Sequence, residues 1–344
     1  YFGDIKYMNS KERVICTLEK NIPDRVPTFE LAIDSHVINA ILPGADIFDF
    51  TEKMELDAVL TKPVINKEKI EAGVYRNEKG LILKKTEEEY MIPINTVIKD
   101  EKDVKKFDFP AITAEHRFRH VEHTIKRFKG KKAIVIVLRD GFSEARELHG
   151  FEDTLIDMID RPMLIRKIIE KSVDYYSEIG KRAAQMGAEI AVTGDDYSST
   201  HGMLMSREQF KKIIFPPMKR LYKNLHDYGL YVIKHSDGNL YPIIDLLIDT
   251  GIDCLNPIDP LGGMSLAKVK KEYGNKVCIM GNVNCAGNLV HGTEEQVIEE
   301  VKGCIKTAAP GGGYIISSSN SIHRSVKPGN YAAMLKAIKQ YGKY

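Results

Sequence analysis

The sequence predicts an α/β fold, a single (β/α)8 TIM barrel over residues 1–344 with an N-terminal helix and an inserted β-hairpin. Three observations predict it. After a first amphipathic segment come eight short apolar runs, most of them ending in polar residues or glycine, and eight is the strand number of that barrel. Helix-opening signals separate the later runs. Side chains capable of chemistry gather where the runs stop, which is where parallel barrel strands build a site.

Taken in order, residues 10–19 form the amphipathic first helix, and the runs at 26–30 and 58–64 read as the first two strands. Between about 73 and 98 the rhythm breaks. There Asn77-Glu78-Lys79-Gly80 separates β-rich runs and KKTEEEYMIPINTVI follows, the pattern of an antiparallel hairpin that caps the barrel between its second and third strands. Further strands are expected at 133–139, 189–194, 230–235, 253–257, 277–281 and 314–318. The helices between them are punctuated: Ser206-Arg207-Glu208-Gln209 opens one, residues 241–250 stop at Gly251, one begun by Ser265 stops before Gly274, and Thr293-Glu294-Glu295-Gln296 opens a long one. Strand and helix alternate from about 133 onward, as in a parallel sheet closed by crossovers. An open doubly wound sheet is disfavoured because no GxGxxG turn follows the first strand.

Composition narrows the partners. A formal net charge of +2 gives no reason to expect nucleic acid or an anionic membrane. No window approaches the roughly 18 apolar residues of a membrane-spanning helix, and the N-terminus has no signal-peptide core. The five cysteines show no CxxC pair and no disulfide-framework spacing, which predicts a reducing, cytoplasmic setting.

The predicted strand ends offer Glu30 with nearby Asp34, Lys62, Arg139 with Asp140, Asp195 with Asp196, His235 with Asp237, Asn256 with Asp259, Asn282 with Asn284 and Cys285, and the stretch from Ser317 to Asn320. His235 and Asp237 form a His-x-Asp turn whose side chains point the same way, suiting two ligands of one zinc ion, with Cys285 as a thiolate donor from a later strand end. Equally, Asp237 only starts an Asx turn and Cys285 is only a small buried turn residue. Asp195 and Asp196 raise one another's pKa as neighbouring like charges, as a general acid requires, or else one caps a turn and the other is solvated. Arg139 either holds an anionic substrate group or pairs structurally with Asp140 or Asp196. The other cysteines, Cys16, Cys254, Cys278 and Cys304, lie on apolar faces and read as core. The glycines of AAPGGGYIISSSNSIH precede a strand rather than open a helix, so they read as helix-closing and not as a phosphate cradle.

Several blocks together, RVPTFELAID, KHSDGN, GIDCLNPIDP, MGNVNC and APGGGYIISSSNSIH, resemble the uroporphyrinogen decarboxylase superfamily over about residues 9–341. The resemblance implies a (β/α)8 barrel with its site at the strand C-termini. True decarboxylases of that superfamily carry an arginine-rich Met-Arg-Gln-Ala-Gly-Arg segment after the first strand. Here the matching FELAIDSHVINAIL has no arginine, which disfavours a porphyrinogen substrate. The methyltransferase branch binds zinc through a His-x-Cys turn and a later cysteine. This chain keeps His235, but Asp237 stands where that cysteine would be and Ser318 or Ser319 near the place of the last thiolate.

The resemblance therefore implies a corrinoid-dependent methyltransferase of the demethylase type. It would move a methyl group from a small substrate, an aryl methyl ether or methylated amine, to the Co(I) corrinoid of a partner protein. Glu30, Asp195, Asp196 and His235 are its candidate catalytic residues. Arg139, Asn282 and Asn320 are its candidate substrate contacts, and His235, Asp237 and Cys285 the candidate ligands of a possible zinc, with Glu30 and Asp196 competing for the third place. Rival readings are a decarboxylase of a smaller acid, anchored by Arg139 and assisted by Asp34 or Asp196, and a corrinoid or small-molecule binder without catalysis.

Overall fold

The computed structural model describes residues 7–86 and 91–344. Along the chain run β1 (Ala58–Thr61), β2 (Lys67–Glu71), β3 (Val74–Asn77), β4 (Ile82–Lys85), β5 (Met91–Pro93), β6 (Ala133–Arg139), β7 (Ile190–Gly194), a short ribbon of β8 (Ser198–Ser199) and β9 (Gly202–Met203), β10 (Tyr231–His235), β11 (Cys254–Asn256), β12 (Cys278–Met280) and β13 (Tyr314–Ile315). Seven of them, in the order β1-β6-β7-β10-β11-β12-β13, make one curled, all-parallel sheet of TIM-barrel type.

Residues 26–30, expected as an eighth strand, form an extended seam instead. Thr28 bridges Ile316 in parallel, Ile316 N donates to Pro27 O at 3.0 Å, and Asp57 N donates to Thr28 O at 2.8 Å, so the segment touches both edges of the sheet. It lacks a continuous ladder because Pro27 has no N–H and because Thr28 N donates to the Asp57 carboxylate at 2.9 Å rather than to a strand.

Alternation along each strand sorts two cores. Inward residues such as Phe29, Ala133, Val135, Val192, Ile233, Cys254, Cys278 and Met280 fill the barrel interior. Outward residues such as Ile134, Ile136, Leu138 and Val232 pack under the helices, among them Pro162–Met186, Phe215–Asp227 and Glu294–Ala308. The helix-opening signals act as read: Ser206 and Thr293 close capping boxes with Gln209 and Gln296, Ser265 caps Leu266–Tyr273, and Asn9 does the same for the first helix, Ser10–Leu18.

The insertion is larger than a hairpin. β2 to β5 form a four-stranded antiparallel meander, of which the expected 77–80 turn is the centre, with Asn77 Oδ1 accepting from Lys79 N and Leu81 N. Residues 87–90 of the expected insertion lie outside the described residues. β2, with the sequence KEKIE, is exposed throughout and has no apolar alternation to announce it. Lys79 pins the meander to the barrel through an ion pair with buried Glu144.

Behind the strand ends lies a buried polar network. Lys234 points outward from β10, away from the interior filled by Ile233, and its Nζ reaches Asp140 Oδ2 at 2.6 Å and the Asp195 carbonyl at 3.0 Å, while Tyr197 and Tyr222 donate their hydroxyls to Asp140. Burial pushes Asp140 up, but Lys234 and these bonds outweigh it and hold its carboxylate below the usual range. Removing the cation strands a buried anion, so Lys234→Ala is expected to cost about 3–5 kcal/mol in urea unfolding. Asp140→Asn in the same chain should recover part of that loss. A cost below about 1 kcal/mol at neutral pH would show that Asp140 gives up its charge cheaply.

Candidate functional site

The inward residues nearest the strand C-termini leave a cavity of about 180 Å³. Leu31, Leu60, Val137 and Val192 form its apolar floor, and Glu30, His235, Asn256, Ser318 and Asn320 its polar wall. The sequence-predicted Glu30, His235 and Asn320 thus meet around one small space.

Glu30 ends the seam segment and is buried. Its carboxyl accepts from Ser318 N at 3.0 Å and contacts Ser318 Oγ at 2.5 Å. That hydroxyl also lies against the Asn320 carbonyl oxygen. A serine hydroxyl has one hydrogen, so both contacts are satisfied when Glu30 carries a proton and donates to Ser318 Oγ, which in turn donates to Asn320. Burial drives the same outcome, pushing the Glu30 pKa up to about 8 against the opposing effect of the Ser318 bonds. At neutral pH the cavity therefore contains a neutral carboxylic acid.

His235 closes β10 with its ring half-buried. Nδ1–H donates to Asn256 Oδ1 at 2.7 Å, and Asn256 Nδ2 in turn donates to the Met280 carbonyl at 3.5 Å. This pairing fixes the tautomer that leaves the Nε2 lone pair free. Nε2 faces Asp237 Oδ1 at 3.6 Å and Asp196 Oδ1 at 3.9 Å. Asp237 N donates to Asp196 Oδ1 at 3.0 Å, and Asn320 Nδ2 donates to Asp237 Oδ2. Burial, with Asp196 and Asp259 nearby, pushes Asp237 up to about 6 although His235 opposes it.

One ligand atom from each of Asp196, His235 and Asp237 lies within 4.8 Å of the others, and Asp237 Oδ1 is buried without a hydrogen-bond partner. Tetrahedral zinc with bonds of ~2.0–2.1 Å keeps its ligand atoms roughly 3.3–3.4 Å apart, so the set, whose three atoms lie within 4.8 Å of one another, fits a cation once they draw inward by up to roughly an ångström. If the Asn256 bond orients a ligand, Asn256→Ala is expected to weaken zinc affinity by about 10–100-fold in a chelator competition. Unchanged affinity would mean the ring is held by other contacts.

Other sequence-predicted residues stand elsewhere. Cys285 is outside the ligand group; its Sγ contacts Ser319 Oγ at 3.4 Å and it lines a separate cavity with Asp34, Asp259 and His323. Burial raises its thiol pKa, which further disfavours a thiolate there. Asp195 is buried in the outer network, where burial and the Asp140 charge push its pKa far up. Arg139 pairs with Glu147 at 2.7 Å and Glu144 at 3.5 Å rather than with Asp140 or Asp196. Asn282 donates to the Ile258 carbonyl at 2.9 Å, bracing the loop behind the site. Sequence reasoning gave no role to Asn256, Ser318 or Lys234. Position at a strand end was a signal for Asn256, whereas nothing in KHSDGN marks Lys234 as buried.

Comparison with known proteins agrees with this architecture. A sequence model described as uroporphyrinogen decarboxylase (URO-D) matches residues 80–341. A methylated-thiol–coenzyme M methyltransferase of Methanosarcina mazei is 23% identical over 64% of this chain and 56% of its own length. A uroporphyrinogen decarboxylase of Nitrosococcus oceani is 21% identical over 53% of this chain and 50% of its own. The chain thus spans about half the length of the curated relatives it matches. The solved structure of a methyltransferase from Methanosarcina mazei superposes with a TM-score of 0.78 at 15% identity, covering 97% of this chain and 99% of that one.

Proposed function

The chain belongs to the uroporphyrinogen decarboxylase family, and on that premise we propose that it is a methyltransferase of the demethylase type. It takes the methyl group of a small ether or amine, and its acceptor is a corrinoid carried by a partner protein. The observation that carries this reading is the neutral Glu30 carboxyl in one cavity with His235.

Methyl ethers resist substitution because the departing oxygen is basic. When docked, the partner's corrinoid supplies a Co(I) nucleophile for the methyl carbon. As the methyl–oxygen bond breaks, its electron pair stays on oxygen, and Glu30 delivers the proton that neutralises it. The apolar floor of Leu31, Leu60, Val137 and Val192 suits the carbon skeleton and excludes water. Asp196, His235 and Asp237 are the residues that would hold a zinc ion, whose chemistry there is Lewis-acid polarisation of the substrate oxygen. The match to a methyltransferase of methylated thiols supports methyl transfer as the reaction class.

The test is incubation of the purified protein with cobalamin reduced to Co(I) and a panel of small methyl ethers, amines and thioethers, assayed by chromatography for the demethylated product. Product that depends on both protein and Co(I) supports the reading. A panel without product, also after addition of zinc and a corrinoid protein, sinks it.

A further inference from the structure

A second concavity of about 390 Å³ opens where the inserted sheet meets the ends of β1 and β6. Lys62, Lys67, Lys79 and Arg139 line it, together with one acid, Glu147. Alternation explains two of these cations. Ala58 and Leu60 face the barrel interior, so Lys62 continues that row past the end of β1; Val135 and Val137 likewise lead to Arg139 on β6. Leu60 and Val137 also line the Glu30 cavity, so Lys62 and Arg139 stand one inward position further along the same two strands.

The charges are unevenly matched. Lys79 is held by buried Glu144, and Arg139 by Glu147 and Glu144. Lys62 and Lys67 have no ion-pair partner among the described residues. Burial and then the Lys62 charge lower the pKa of neighbouring His120. Val64, Ile65, Leu83 and Met91 complete the walls. Apolar walls around unmatched cations focus an attractive field for anions. The Glu30 cavity, by contrast, has no lysine or arginine in its lining.

We propose that this basic concavity binds an oxyanion, and that the methyl donor is a small organic acid. Its carboxylate sits between Lys62 and Lys67 while its methylated heteroatom reaches Glu30 and His235. What happens at the heteroatom rests on the methyl-transfer reading; the anion site does not.

Calorimetric titration with 3- and 4-methoxybenzoate and the matching methoxybenzamides tests this in wild type, Lys62→Gln, Lys67→Gln and Lys69→Gln. Lys69 is exposed on β2 and does not line the concavity, so it serves as the charge control. The acids are expected to bind about tenfold or more tightly than the amides in wild type and Lys69→Gln. That preference should collapse in Lys62→Gln and Lys67→Gln and shrink with added salt. Equal affinity for acid and amide, no binding of the acids, or a preference that survives both substitutions overturns the inference. The Co(I) assay on the same compounds separates the two ideas. Equal demethylation of acids and amides removes the anion site and leaves methyl transfer standing. Lysine-dependent acid binding with no methyl transferred even after addition of zinc and a corrinoid protein, or with carbon dioxide released instead, supports the anion site and removes methyl transfer.

Discussion

Glu30→Gln is expected to lower methyl transfer by about 10²–10⁴-fold, the range of a positioned general acid, and to make the protein more stable in alkaline solution. Both effects follow from one buried carboxyl whose pKa is pushed up to about 8. Glutamine keeps the shape and an oxygen to accept from Ser318 N, but it has no proton to deliver to a leaving oxygen. In the wild type, activity should hold below pH 8 and fall about tenfold per unit above it as the acid ionises. Stability moves in the same direction. An unfolded glutamate ionises near ~4.3, so between that pH and about 8 the folded state binds more protons than the unfolded state. Stability from this group is therefore full below the unfolded pKa, falls as pH rises toward 8, and is flat beyond. The loss amounts to a few kcal/mol at ~1.4 kcal/mol per unit. Thermal denaturation of both proteins at pH 5 and pH 9 checks this: the curves should separate in favour of Glu30→Gln only at the higher pH. An inactive variant with the same pH dependence of stability as wild type would contradict the neutral-acid assignment.

Protein purified without chelators is expected to carry about one zinc per chain, and His235→Ala or Asp237→Ala to carry none. Three candidate ligands, one of them a histidine oriented by Asn256, would leave a fourth position open, as catalytic zinc sites do. Cys285→Ser separates this ligand set from the one that includes the thiolate, because Cys285 lies outside the group. It should keep its zinc, whereas Asp196→Ala should lose it. Retention in Asp196→Ala with loss in Cys285→Ser would reverse the assignment. A wild type that binds no zinc after reconstitution would leave protonation by Glu30 as the only assistance to the leaving group.

The barrel was legible because its strands are short apolar runs ended by polar residues, and its helices open on side-chain caps that work locally. Two boundaries were not. Pro27 and the Asp57 carboxylate take ladder positions in the first run, and a carboxylate more than 25 residues away in sequence leaves no local trace there. KEKIE carries no alternation, so the meander beginning at β2 read as a hairpin beginning later. Among the candidate residues, strand ends bring Glu30 and His235 to one cavity and set Asp237 beside His235, as their positions in the sequence suggest. Whether Asp196 or Cys285 completes the ligand set depends on how the loops after β7 and β12 fold back, and both types are chemically acceptable donors. For Arg139 the sequence offered an anionic substrate or a pair with Asp140 or Asp196, and the actual partners were missed because Glu144 and Glu147 lie on a following helix, Phe142–His149, whose orientation the sequence does not state.

The Glu30–Ser318 contact spans 288 residues of chain, nearly its whole length. Contacts that distant are slow to form, since loop closure must come before they reward it. An intermediate with β6 to β12 already paired would have most of the parallel sheet and the His235 ligand group, yet Glu30 would be an ordinary solvated carboxylate near its usual pKa. On that order of assembly, the raised pKa of Glu30 is acquired only when the two ends of the chain meet. Recovery of activity during refolding should therefore lag behind recovery of secondary structure, and it reports whether the barrel has closed.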